Sequence, residues 1–236
     1  MMSQPAPKVI AVLPAFNAAA TVRRTCDAIP KDAVHEMILV DDASSDETVA
    51  FATAIPGLHV IVHPKNHGYG GNQKTCYDEA LRRSADIVVM IHPDFQYDPS
   101  RVPQMIAPLR GGTADMVIGS RFLDGDPRQE GMDWWRYCGN RLLTGLQNAV
   151  LGTSLSECHS GYRAYTRALL ETVPYRRFSD DFSFDSQMIA AVARRRMRIA
   201  EVAIPVRYAS DSSSISFCKS IHYGLATLKT LFPQEP

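Results

Sequence analysis

Apolar residues in this chain come in short, β-branched runs, each closed by a polar, turn-rich tip and followed by helical spacing. Val9 to Leu13, Met37 to Val40, Leu58 to Val62, Ile87 to Ile91 and Met116 to Ile118 read as strands. Continuous apolar runs of this length suit strands buried on both faces. Helices are predicted between them over Ala20 to Ile29, Asp46 to Ala54 and Asn72 to Arg83. This βαβα rhythm predicts a mostly parallel, Rossmann-like α/β sheet covered by helices on both faces.

The second half is less regular. Asp124 to Asp133, rich in Gly and Asp, predicts a long mobile loop. Tyr137 to Leu151 predicts a helix ended by Gly152 as its C′ residue. Phe184 to Arg196 predicts another helix, and Ile199 to Val206 a late strand. Ser216 to Leu231 carries Phe217, Ile221, Tyr223, Leu225, Leu228 and Leu231 at helical spacing. No internal repeat or low-complexity tract is present.

Composition narrows the function classes. The 25 Lys and Arg balance the 25 Asp and Glu, so no global charge argues for a nucleic-acid partner. The five cysteines have no paired spacing, which fits a reducing compartment and inert thiols. Met1 to Pro7 lacks the apolar core of a signal peptide, and no apolar run reaches membrane-spanning length. A cytoplasmic protein is expected, with contact at the inner face of a membrane left open.

The candidate chemistry sits at strand ends. Ile87 to Ile91 runs into His92-Pro93-Asp94-Phe95-Gln96-Tyr97-Asp98-Pro99. Open α/β sheets place ligands beyond the carboxyl ends of strands, and a carboxylate there can hold a divalent cation against a diphosphate. A capped strand end with a turn at Asp98-Pro99 explains the same residues without a ligand. The first strand ends in Leu13-Pro14-Ala15-Phe16-Asn17 rather than GxGxxG, which counts against a dinucleotide-binding domain. The second ends in Val40-Asp41-Asp42-Ala43-Ser44-Ser45-Asp46, where Ser45 or Asp46 can cap the next helix. Capping does not need two adjacent acids at the tip, whereas a base or ribose can be bound by one. His67-Gly68-Tyr69-Gly70-Gly71-Asn72-Gln73-Lys74 opens a helix. Its glycines and Lys74 suit a phosphate, or simply a tight turn and a solvated lysine.

Taken in order, Pro14-Ala15-Phe16-Asn17, Val40 to Thr48, Asn66-x-Gly68-x-Gly70-Gly71, Pro93-Asp94-x-Gln96-x-Asp98-Pro99 and Gly119-Ser120-Arg121-Phe122 resemble the family 2 glycosyltransferases. The likeness points to the branch of dolichol-phosphate mannose synthases and polyprenyl-phosphate glycosyltransferases. Ser160-Gly161-Tyr162-Arg163-Ala164-Tyr165 and Arg198 to Val206 continue it, so the resemblance runs from about Val9 to Tyr208.

That resemblance implies a single glycosyltransferase A domain, with a nucleotide-sugar-binding half over residues 8–122 and an acceptor-side half over 123–236 that includes the closing helix. It implies inverting, metal-dependent sugar transfer from a GDP-mannose or UDP-glucose type donor. Pro14, Ala15 and Asn17 would line the nucleotide pocket, Asp42 would bind the base, and Asp41 would support the tip. Gly71 and Lys74 belong to the glycine-rich segment. Asp94 takes the place of the second acid of the DxD motif, with Gln96 beside it. Ser120 and Arg121 would face sugar or phosphate, and Arg136 matches an arginine that touches acceptor phosphate.

Departures accompany the match. The first acid of the DxD motif is His92 here, an imidazole that can bind manganese but suits magnesium poorly; alternatively Asp94 binds the metal alone, with diphosphate oxygens and water completing the shell. The branch's late basic segment is replaced by Ala209 to Ser216. Asp180 and Asp181, with Asp185 a weaker candidate, could supply the general base that a hydroxyl acceptor needs; they also suit a helix N-cap. His159 is a further base candidate. A polyprenyl-phosphate acceptor is favoured over a glycan hydroxyl, and the closing helix could lie on a membrane surface. A non-catalytic nucleotide-sugar-binding protein is the competing class. A nucleotidyltransferase is disfavoured because its glycine-rich opening turn is missing at Leu13 to Asn17.

Overall fold

The structure is a computed structural model that describes residues 6–205, Gly224 and residues 227–230. Its framework is one seven-stranded sheet built from β1 (Val9–Ala15), β2 (Glu36–Asp41), β3 (Leu58–Val62), β4 (Ile87–Met90), β5 (Met116–Ser120), β6 (Arg163–Thr166) and β7 (Ile199–Ala203). The strand order is β3-β2-β1-β4-β6-β5-β7. Only β6 runs antiparallel to its neighbours; the other pairings are parallel. Strands from both halves of the sequence share this sheet.

The helices are α1 (Val22–Ala28), α2 (Thr48–Thr53), α3 (Tyr69–Arg82), α4 (Val102–Arg110), α5 (Trp134–Leu151), α6 (Arg167–Thr172) and α7 (Phe184–Arg194). Alternation along β1 divides the core in two. Val9, Ala11, Leu13 and Ala15 face α1 and α4 through Val22, Cys26, Met105 and Ile106. Ile10 and Val12 face α3 and α7 through Cys76, Tyr77, Ala80, Met188 and Ile189. Each fully buried Val, Leu, Ile or Met contributes about 1.5–3 kcal/mol. A strand with both faces covered has no polar side to turn to solvent, which is why these runs are continuous rather than alternating.

Helix ends follow local chemistry. Gly152 closes α5 at φ 67°, and its N–H donates to the Asn148 carbonyl, as expected for a left-handed C-terminal glycine. Three elements escape the hydrophobic pattern: α4, β6 and α6. Pro103 and Pro108 obscure α4, although a proline in the first turn is tolerated. Arg163 interrupts the apolar reading of β6. The stretch 124–133, expected to be a loop, is a run of turns in which Gln129, Glu130, Gly131 and Met132 donate back to residues 126–128. The expected closing helix and the segment Ala209 to Ser216 lie outside the described residues, apart from Gly224 and residues 227–230, which are helical.

Candidate functional site

The chain reverses direction across the sheet between β1 and β4, since β2 and β3 extend one way and β4 the other. Such a switch point opens a crevice at the strands' carboxyl ends. The tips bordering it carry three non-glycine residues in the left-handed region: Asn17 (φ 51°), Ala43 (φ 59°) and Phe95 (φ 57°). Such conformations cost on the order of 1–3 kcal/mol each and persist where the surroundings enforce them. The β1 and β2 tips are knitted together. Asn17 donates its N–H to Ser44 Oγ at 2.8 Å and accepts from the Ser45 N–H at 2.9 Å. Ser44 in turn donates its N–H to the buried Asp41 at 2.9 Å. Asn72 of α3 reaches back to the Val40 carbonyl at 3.0 Å. Pro14 and Ala15 are buried in this tip while Asn17 is exposed at its rim.

Asp42 departs from the expected role of base reader. Its carboxylate accepts from the His67 N–H at 2.8 Å, the Gly68 N–H at 3.0 Å and His63 Nδ1 at 2.8 Å, and it is 3% exposed. It holds the 66–68 turn onto the β2 tip instead of presenting a free acceptor.

The β4 tip carries the DxD-like segment. Asp94 Oδ1 accepts from the Gln96 N–H at 3.0 Å, which shapes the turn through Phe95. The Arg24 guanidinium covers the Phe95 ring at 3.9 Å. His92 lies against Tyr69, ring centroids 5.4 Å apart and 23° between planes. Tyr69 donates its hydroxyl to Asp185 Oδ2 at 2.8 Å, and His92 Nε2 lies 3.1 Å from the same hydroxyl. Burial pushes the Tyr69 hydroxyl well above the ordinary tyrosine range, with Asp185 adding to it. Burial also holds the His92 imidazole below the usual histidine range, so it is neutral near pH 7.

The glycine-rich turn is not an open phosphate cradle. A Cβ on Gly68 would meet the Asp180 carbonyl at 2.6 Å, and one on Gly70 the Ser179 carbonyl at 2.4 Å; on Gly71 it would meet His67 at 2.9 Å. The glycines admit the chain's own 179–184 segment. The Gly70 N–H donates to the Asp180 carbonyl at 2.7 Å, so the N-terminus of α3 is already capped. Lys74 donates to Asp180 Oδ1 at 2.7 Å and to the Phe178 carbonyl. Gly71 and Lys74 are therefore corrected from ligand contacts to packing and tethering residues. Asp180 is Lys74's partner, its side chain 68% exposed. Asp181 accepts from the Ser183 N–H at 2.7 Å in the turn that precedes α7, so it shapes that turn and is not the helix's N-terminal cap.

On the acceptor side, Ser120 is buried; its hydroxyl lies 2.6 Å from Ser156 Oγ and accepts from the Phe122 N–H, so it faces the protein rather than a ligand. Arg121 is locked to Glu157, which also accepts from the Arg121 N–H at 2.9 Å and from Asn140 at 2.8 Å. Burial alone would raise the Glu157 carboxyl; Arg121 outweighs it and holds the group below the usual carboxylate range. The expected diphosphate contact thus begins from an already paired guanidinium. Arg136 pairs with Asp133 at 3.2 Å and stacks over Trp135. His159 is held down to about 4 by burial, so it is neutral at pH 7.

Four residues that carry this arrangement were absent from, or minor in, the sequence reading. Arg163 is fully buried and donates to the carbonyls of Ser160, Asp185 and Cys158 at 2.9, 2.8 and 3.0 Å. It pins the 158–162 segment to the start of α7. Asp185, 6% exposed, and not the exposed Asp180 or Asp181, reaches the DxD-like tip through Tyr69. Glu157 lies outside every motif quoted above, and Tyr69 is the variable position between Gly68 and Gly70 of the glycine-rich segment, where it was not singled out.

The metal expectation fits the donor set in part. Asp94 and His92 supply one carboxylate and one imidazole, and Gln96 adjoins them. Among the described residues no group of three or more His, Cys, Asp or Glu converges as a metal centre. Two protein ligands leave room for diphosphate oxygens and water. Also among the described residues, no helix is long and apolar enough to cross a membrane.

A sequence model of glycosyl transferase family 2 matches residues 10–173. The undecaprenyl-phosphate mannosyltransferase of Micrococcus luteus is 29% identical, over 84% of this chain and 82% of that protein. The UDP-N-acetylglucosamine–dolichyl-phosphate N-acetylglucosaminyltransferase of Methanococcus voltae is 23% identical, over 92% and 94%. Among solved structures, glucosyl-3-phosphoglycerate synthase from Mycobacterium tuberculosis, in complex with Mn2+, UDP and phosphoglyceric acid, superposes with a TM-score of 0.74. Its identity is 23%, over 95% of this chain and 77% of that one. That likeness supports the glycosyltransferase A fold.

Proposed function

The chain belongs to glycosyl transferase family 2, and from that premise we propose that it moves a hexose from a nucleotide-sugar donor to the phosphate of a polyprenyl-phosphate acceptor, with a divalent cation at Asp94. The observation that carries this reading is the crevice at the β1, β2 and β4 tips, where three left-handed turns border a carboxylate and an imidazole. Both relatives named above bear the names of enzymes that use a polyprenyl or dolichyl phosphate.

The β1 tip from Pro14 to Asn17, stiffened by Ser44, Ser45 and Asp41, forms the wall against which the nucleoside rests. Asp94, with His92 and Gln96, would hold the cation. A divalent cation bound there would neutralise charge developing on the leaving diphosphate. The acceptor attacks from the opposite side of the anomeric carbon, which inverts it.

The three aspartates that could serve a hydroxyl acceptor as base are committed elsewhere. Asp180 binds Lys74, Asp181 accepts from the Ser183 N–H and Asp185 accepts from Tyr69. An acceptor phosphate needs no base, because it is already ionised. Arg136, 27% exposed on α5, is the cation we assign to it, with Arg121 released from Glu157 as a second.

The test is transfer of labelled hexose from GDP-mannose and UDP-glucose, with Mn2+ or Mg2+, into detergent-dispersed undecaprenyl phosphate or a soluble glycan. Label in the lipid fraction supports the reading. Label confined to the glycan shifts the acceptor to a hydroxyl. Neither product, despite tight donor binding, would favour a nucleotide-sugar-binding protein.

A further inference from the structure

Tyr69 hydroxyl, His92 and Asp185 form a chain from the core to the DxD-like tip. A tyrosine hydroxyl has one proton, and here it goes to Asp185, whose carboxylate is paired with Arg163 at 3.6 Å and can only accept. The 3.1 Å contact between the tyrosine oxygen and His92 Nε2 therefore requires the proton on Nε2. The lone pair is left on Nδ1. Packing enforces the same orientation. The Nε2–Cδ2 edge of His92 abuts Gly161, where a Cβ would fall 2.7 Å from Nε2 and 2.8 Å from Cδ2. The Nδ1 side of the ring is directed the other way. Metal-ligating histidines ordinarily donate their second N–H to a fixed acceptor, and that outer partner sets tautomer and orientation.

We propose that Tyr69 and Asp185 are positioning residues that fix His92 as an Nδ1 ligand, and that this imidazole biases the site toward manganese-class cations over magnesium. The inference rests on the reading that the cation and diphosphate sit at Asp94. Imidazole suits first-row transition ions, whereas magnesium favours oxygen ligands and a full octahedral shell. The other use of a neutral imidazole is as general base. His92 stands two residues from Asp94, which the proposed function assigns to the leaving diphosphate, whereas an inverting attack needs its base on the far side of the anomeric carbon.

Mn2+ binding in the presence of UDP or GDP tests this, with free Mn2+ read by electron paramagnetic resonance and bound nitrogen by spin-echo modulation. Wild-type protein is expected to display 14N modulation that His92→Asp lacks. Tyr69→Phe removes one hydroxyl and should lower Mn2+ affinity about 10–100-fold, the usual cost of losing an outer partner. The same substitution in a His92→Asp background should change Mn2+ affinity less than about twofold, because no imidazole remains to orient. An equal loss in both backgrounds would make Tyr69 merely structural and overturn the inference. Absent 14N modulation in the wild type would also overturn it. Asp94→Ala separates the two levels. If that variant keeps wild-type Mn2+-nucleotide affinity, the donor-site reading itself fails. If it loses affinity while Tyr69→Phe is neutral, only this inference fails.

Discussion

Arg121 and Glu157 face each other in a buried pair: Arg121 Nε lies 2.9 and 3.1 Å from the two Glu157 oxygens, and the side chains are 10% and 0% exposed. An acceptor or donor phosphate that engages Arg121 must compete with a carboxylate already in place. The pair is thus a structural clamp on the arginine that directly follows β5.

Breaking it from one side strands a charge. Glu157→Gln should lower unfolding free energy by about 3–5 kcal/mol at pH 7. The pH dependence has a definite sign. The folded Glu157 carboxyl titrates below the ordinary glutamate range because Arg121 outweighs its burial, so its contribution is complete above the unfolded group's range and lost as pH falls through the lower folded one. Urea midpoints of wild type and variant should therefore converge as the solution is acidified below about pH 4.5. A gap that stays constant down to pH 3 would contradict the pairing.

Lys74 illustrates how a motif can mislead. Its amine binds Asp180, 106 residues away in sequence, and the Phe178 carbonyl. Lys74→Met should lower stability by about 1 kcal/mol and leave nucleotide affinity within about twofold, by calorimetric titration. Loss of affinity by tenfold or more, about 1.4 kcal/mol, would restore the phosphate role.

That case marks where legibility ends. β1, β4 and β5 were readable because each is an apolar run buried on both faces, and β3, only partly buried, because it keeps a β-branched run. Leu58–Val62 matches its expected bounds, and β1, β2, β4 and β5 differ by one or two residues at one or both ends. Gly152 was readable because only a left-handed residue closes α5 there. β6 was not, because Arg163 is polar by type and buried only through its carbonyl acceptors from distant segments. The same limit applies to the site. Asp94 and His92 announce themselves at a strand end. The partners of Lys74, Asp42, Ser120 and Arg121 come from remote loops, so a glycine that admits a ligand and one that admits the chain itself look alike in sequence.

Gly161→Ala probes the support of the DxD-like tip. The added methyl would meet His92 Nε2 at 2.7 Å. Overpacking of this kind costs about 1–3 kcal/mol, and the displaced imidazole should weaken Mn2+-dependent UDP or GDP binding. Thermal unfolding and calorimetry read the two effects. A variant with wild-type values in both would mean that His92 is not confined by this glycine.

The acceptor is tested by three substitutions. With a lipid-phosphate acceptor, Arg136→Ala should cripple transfer, while Asp180→Asn and Asp181→Asn stay near wild type. With a hydroxyl acceptor, one of the two Asp→Asn variants should lose about two to four orders of magnitude in rate. Severe loss in an Asp→Asn variant that binds donor normally would overturn the phosphate assignment.

The central claim is that Asp94, at the β4 tip, binds a nucleotide-sugar donor through a divalent cation. The most direct measurement is calorimetric titration of GDP-mannose and UDP-glucose into wild type and Asp94→Ala, each with Mn2+ and with excess chelator. Wild type should bind one of the donors with metal and lose that affinity with chelator, and Asp94→Ala should match the chelated wild type in both conditions. Metal-dependent binding that survives in Asp94→Ala would contradict the account.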